Sequence, residues 1–173
     1  MAHEPAPVSQ TIPDLLYDAF YSGAIGGAVV ALFFLLVDSL NGQPLFTPTL
    51  MGSVLFGGVA AEAVTDVRLD MVAWYSVVHV AVFGALGLGI AFLVREVELH
   101  SRHPGLLFLV LFLIFEVGFL VAAWVFLPGV VAQLGASVVA LANLLAAGAM
   151  ALFLLASHRP DLWQRIKHSV RLA

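Results

Sequence analysis

Four long stretches with almost no charge dominate this sequence and leave it few ways to fold. Crossing about 30 Å of hydrocarbon takes roughly 20 apolar residues at about 1.5 Å per residue in a helix. Residues 19–37, 71–94, 105–127 and 130–156 meet that length; Glu116 alone interrupts the third, and the others carry no charge. Open sheet edges find no hydrogen-bond partner in lipid, and period-two alternation is absent, so each stretch is expected to be a helix. The fold class that follows is an all-α membrane protein with four transmembrane helices.

Composition agrees with this. Apolar residues make up 62% of the 173-residue chain and charged residues 10%, against roughly 45–50% and about 25% in soluble domains. A single integral membrane domain over 1–173 is the economical reading. The chain holds no cysteine, which excludes disulfides, thiolate metal sites and cysteine nucleophiles. Net charge is −4, with most basic residues near the C-terminus, so nucleic acid is not an expected partner. Residues 1–18 contain Glu4, Asp14 and Asp18 but no Lys or Arg. A cleaved signal peptide would need a positive n-region there, so the first apolar segment is expected to be retained.

Between the first two spans, residues 40–61 are uncharged but hold Asn41, Gln43, Pro44 and Pro48. Thr47-Pro48 reads as a helix cap followed by proline at the first helical position. A short helix would follow over about 48–58, stopped by Gly57-Gly58. That run is too short to span, so a re-entrant or interfacial helix is expected over a fifth crossing. In the tail, 158–173, Leu162, Trp163, Ile166 and Val170 share one helical face among Arg159, Arg165, Lys167 and Arg171. This pattern predicts an amphipathic helix lying at the membrane interface. Arg95 and Arg102 lie between spans two and three, on the same side as the basic tail, while Arg68 lies on the other. The positive-inside rule then puts the C-terminus, with the loop around Arg95 and Arg102, on the cytoplasmic side.

Small residues recur at close-packing intervals. Gly23 and Gly27 form a GxxxG pair; Ala81, Ala85 and Gly89 repeat every four residues in the second span; Ala136–Ala140, Ala142–Ala146 and Ala147–Ala151 do so in the fourth. Such spacing lets backbones approach, either inside one bundle or against a partner subunit. The third span carries Leu and Phe on nearly every side from Leu106 to Phe115, which suits lipid or a broad apolar contact with another protein.

Polar groups inside the spans are few. Glu116 sits mid-span, where an ionised carboxylate costs at least ~2.5 kcal/mol, so it must be neutral, paired or in a wet cavity. His79 lies about 12 Å and Glu116 about 16 Å from the same end of the bundle, counting about 1.5 Å per residue. Consecutive helices joined by a short loop should be neighbours, so the two side chains could meet. Asn143 falls at similar depth and Tyr75 one turn from His79, which completes a polar intramembrane cluster of Tyr75, His79, Glu116 and Asn143. Gln133 and Ser137 lie nearer the surface. A His–Glu pair suits proton handling, and a lone imidazole suits a haem or chlorophyll-type pigment; a structural hydrogen bond between helices is the plainer role. One histidine and one carboxylate are too few for a protein-only metal site. Asp38, Asp66 and Asp70 make one surface acidic, where a cation or basic partner could be received. His100 and His103 form an HxxH near Glu96 in a charged loop, where exposure to solvent is the ordinary explanation.

The stretch GAIGGAVVALFFLLVDSLNGQPLFTPTLMGSVLFGG, followed by YSVVHVAVFGALG and FEVGF, resembles small four-helix bacterial inner-membrane proteins of unassigned function. The resemblance implies an architecture and no biochemical role. The expected function is that of a non-enzymatic integral subunit or accessory protein packing against a larger bacterial membrane complex, respiratory or photosynthetic. Its partners would be the lipid bilayer and other membrane subunits, with no cofactor required. The alternative is a small homo-oligomeric transporter or channel-like protein with a proton-coupled site at His79 and Glu116. An enzyme acting on a lipid-soluble substrate near Asp38, Tyr75 and His79 would need a nucleophile–base pair that the spacing does not supply.

Overall fold

The computed structural model describes residues 12–100 and 104–158. In chain order they form α1 (Ile12–Leu40), α2 (Phe46–Gly57), a 3-10 turn (Ala61–Ala63), α3 (Leu69–His100), α4 (Pro104–Phe126), α5 (Val130–Leu134) and α6 (Ala136–His158). Four helices, over Ile12–Leu40, Leu69–Leu93, Phe108–Phe126 and Ala136–Ser157, are long and apolar enough to cross a membrane. The protein is a multi-pass helical bundle. The amphipathic tail predicted over 158–173 and the HxxH of His100 and His103 lie outside the residues whose side chains are described.

The fourth span differs from its expected bounds of 130–156. Gly135, at φ 84° and ψ 123°, breaks that uncharged stretch into α5 and α6. Only glycine reaches such a conformation without steric cost. The break turns α5 so that Val130 is fully buried against α2 and α4 residues, and the crossing helix starts at Ala136.

α1 packs on α3 along one side and on α6 along the other; α4 packs on α6, while α3 and α4 touch only slightly. The order around the bundle is therefore α3, α1, α6, α4. α6 is the innermost helix, with 44% of its apolar window buried against 17% for α3 and for α4. Its alanines explain this: Ala142, Ala146, Ala147 and Ala151 are all buried and let neighbours come close.

The core of the described residues has three clusters, one of them Phe34 of α1 with Val139 and Ala142 of α6. Near α2, Leu50, Met51 and Val54 pack with Ala123 of α4, Leu127 just beyond its end and Val130 of α5. Toward the other end, Phe83 and Ile90 of α3 meet Leu111 and Phe115 of α4 and Met150 and Leu154 of α6. The rings of Phe83 and Phe115 stack at 5.7 Å between centroids, where α3 and α4 do approach.

α1 and α3 are held together through glycine. A Cβ on Gly23 would run into the Phe83 carbonyl oxygen, and one on Gly87 into the Ala19 carbonyl oxygen and, at 3.0 Å, the Gly23 Cα. Gly52 plays the same part between α2 and the Met71 carbonyl of α3.

At 12 residues, α2 is about 18 Å long, short of a crossing. It begins at Phe46 rather than after a Thr47 cap, with the Phe46 N–H bonded to the Gln43 carbonyl and the Thr47 N–H satisfied from α1. The Asp38 carboxylate accepts hydrogen bonds from the Thr47 N–H and the Thr47 hydroxyl, both at 2.7 Å. Pro48 still falls in the first turn, where its missing N–H does no harm. Leu45, the residue before the helix, is the single non-glycine at positive φ (71°) among the described residues. The helix stops at Gly58 in the left-handed conformation, its N–H bonded to the Ser53 carbonyl.

Candidate functional site

The intramembrane polar residues resolve into separate pairs on separate helix contacts. His79 of α3 bonds through Nε2 to the carbonyl of Gly27 on α1, at 3.0 Å. Because a carbonyl only accepts, Nε2 carries the proton. A Cβ on Gly27 would make only an ordinary contact with Nε2, at 3.5 Å, but would crowd the Phe83 ring at 3.2 Å. The imidazole lies between the rings of Tyr75 and Phe83, with centroids 6.0 and 4.7 Å away. A pigment or haem metal approaching Nε2 would have to displace the Gly27 carbonyl.

Glu116 has a different partner. Asn143 of α6 donates from Nδ2 to Glu116 Oε2 of α4 at 2.9 Å. Asn143 is buried and Glu116 partly so. An accepting carboxyl oxygen serves this bond whether or not the other oxygen is protonated. The four residues expected in one cluster are thus divided. His79, with the Tyr75 ring beside it, belongs to the α1–α3 contact, and Glu116 and Asn143 to the α4–α6 contact; Tyr75 also packs against the cluster around α2. The reason is the helix order. α3 takes α1 as its neighbour through the glycine contact, and α4 takes α6, so helices consecutive in the chain are not the tightest pair.

Among the small residues, Gly23 and Gly27 face α3. Ala81, Ala85 and Gly89 do not join that contact. All three are exposed, and a Cβ on Gly84 or Gly89 would meet nothing within 4 Å. α3 presents His79, Phe83, Gly87 and Ile90 inward; at about 100° per residue, residues 81 and 85 point roughly opposite, and residue 89 lies about 115° round from the centre of that face.

A polar site that sequence reasoning underrated lies where α1 ends. The Asp38 carboxyl, 4% exposed, borders an open cleft of about 150 Å³ together with Thr47 and the side-chain amides of Asn41, Gln43 and Gln133. Read alone, Asp38 looks like a marker of the water boundary; the missed signal is the Thr47-Pro48 helix start nine residues on, whose amides need an acceptor. Two further polar residues of α2 are buried. Thr49, fully buried, accepts the Arg68 N–H at 3.1 Å through its hydroxyl, which ties the start of α3 to α2. Ser53 is buried, and its Oγ has no hydrogen-bond partner.

Arg68 and Asp70 form an exposed ion pair at 2.7 Å, the kind that adds little to stability. Among the described residues no three His, Asp or Glu side chains converge as a metal-holding group. Compared with known proteins, the chain matches no family model, no curated protein and no solved structure.

Proposed function

We propose that this protein is a non-enzymatic integral subunit of a larger membrane assembly, joined to it by the outward face of α3. The observation that carries the reading is the contrast between the two small-residue faces of that helix. Gly87 is consumed by the contact with α1, while Ala81, Gly84, Ala85 and Gly89 lie open beside exposed Leu88 and Phe92. Lipid chains gain little from glycine and alanine, whereas another helix gains close backbone approach. The occupant is accordingly a membrane-spanning helix of a different protein.

The separate bonds of His79 and Glu116 favour this role over a proton-coupled His–Glu site, since each side chain is spent joining two helices of the bundle. The burial of Thr49, Leu50 and Ser53 supports reading α2 as a re-entrant helix that enters the bundle without crossing. The basic residues at 95, 102, 159, 165, 167 and 171 support a C-terminus on the cytoplasmic side of the membrane.

Gentle detergent extraction from native membranes, followed by sizing, tests the proposal. The expected result is a discrete particle holding this chain and a second membrane protein in fixed ratio. A lone monomer, or a particle made only of this chain, would overturn it. A reporter fused to the C-terminus reads the orientation separately.

A further inference from the structure

The cleft at the end of α1 combines features that fit a ligand. Asp38 is a buried carboxylate, yet both its hydrogen bonds come from one uncharged residue, Thr47. Arg68, the one Lys or Arg whose side chain is described, is engaged with Asp70. The α2 N-terminus, equivalent to roughly half a positive charge, offsets only part of the carboxylate's charge. Each carboxylate oxygen takes one hydrogen bond from Thr47 and keeps capacity for another donor.

The rest of the lining narrows the chemistry. Asn41, Gln43 and Gln133 are exposed in the same lining and carry amide donors and carbonyl acceptors, the Gln43 Nε2 already donating to the Thr65 carbonyl at 3.3 Å. The rest of the lining is apolar, with Phe34, Val37, Phe46, Leu134 and Val138. A hard metal ion would want several oxygen ligands and no such apolar lining. A primary ammonium on a short alkyl body satisfies both surfaces, donating N–H bonds to the carboxylate while its carbons and charge lie against the rings. A quaternary ammonium has no N–H to donate. The volume of about 150 Å³ is of the order that admits a benzene-sized guest.

From this juxtaposition we infer that the cleft between the end of α1 and α5 is a binding site for a primary alkylammonium group held by Asp38. α1 ends two residues beyond Asp38, at Leu40, and the crossing part of the fourth span begins at Ala136, so the site lies where the spans end. At that depth the group has two sources: the headgroup of phosphatidylethanolamine, or a free small amine. The rim amides would donate to the phosphate of the former.

The test is native mass spectrometry of the full chain released from nanodiscs of phosphatidylethanolamine, phosphatidylcholine or phosphatidylglycerol. A second arm adds free ethanolamine to protein in phosphatidylglycerol alone. Retention of phosphatidylethanolamine about tenfold above the other two lipids identifies the headgroup. Binding of ethanolamine without that lipid preference identifies the free amine. Asp38→Asn leaves an acceptor for Thr47 but removes the charge, and should lower retention by about tenfold. Gln133→Phe narrows the cleft without touching the bonds between Asp38 and Thr47, so it reports even where Asp38→Asn fails to fold. Equal retention of all three lipids with no ethanolamine bound would overturn the assignment. So would undiminished binding in either variant with its helicity intact.

Discussion

Replacing Gly87 by alanine should loosen the bundle, while the same change at Gly89, half a turn away on the same helix, should not. A Cβ on Gly87 meets the Ala19 carbonyl oxygen and lies 3.0 Å from both the nitrogen and Cα of Gly23, whereas one on Gly89 meets nothing within 4 Å. Each substitution gains about 1 kcal/mol of helix propensity, and that gain cancels when the two variants are compared. What remains is the clash. Its partners are backbone atoms that cannot rotate aside, so the upper end of the overpacking range applies, about 3 kcal/mol. Relative to Gly89→Ala, Gly87→Ala should then shift the unfolding equilibrium roughly a hundredfold. Reversible unfolding in mixed micelles, followed by a fluorescent pair on α1 and α3, measures this difference. Adding Gly23→Ala to Gly87→Ala should cost less than the sum, because both changes separate the same two helices. Equal midpoints for the two single variants would refute the assignment of Gly87 to the α1–α3 contact.

Two more outcomes follow from the buried polar groups. Asn143→Leu removes the donor to Glu116 and should destabilise by about 0.6 kcal/mol, and at most about 1.7, the range for hydrogen bonds in membranes. The double change Glu116→Leu with Asn143→Leu should restore most of that loss, since replacing both partners leaves no polar group unsatisfied; a double-mutant cycle in the same micelles reads it. Ser53→Ala should stabilise the fold by about 1 kcal/mol, because the buried hydroxyl has no partner to lose. A lower thermal midpoint for that variant would mean that Oγ does find one.

The crossing helices were legible because an uncharged run of bilayer length has few other fates. What the sequence concealed depends on backbone and on tertiary neighbours. Gly135 looks like any glycine of a membrane helix until its φ of 84° ends one helix and begins another. The partner of His79 is a main-chain carbonyl, a group every residue has and no spacing advertises. Asp38 caps a helix that starts eight residues later, beyond the reach of local capping patterns. The small residues at 81, 85 and 89 have close-packing spacing, but spacing does not tell which face a helix turns inward. Phe83 and Gly87 decide that, through one large ring and one missing side chain that fit α1.

The central claim is that the outward face of α3 meets another membrane protein. Because the chain has no cysteine, single cysteines at Ala81, Ala85 and Gly89 can each carry a photoactivatable label in native membranes, with Leu113, Val117 and Val121 on the exposed side of α4 as the comparison. The account predicts that the α3 positions cross-link to one discrete protein other than this chain, while the α4 positions yield chiefly lipid adducts. Lipid adducts at all six positions, or α3 cross-links only between copies of this chain, would contradict it.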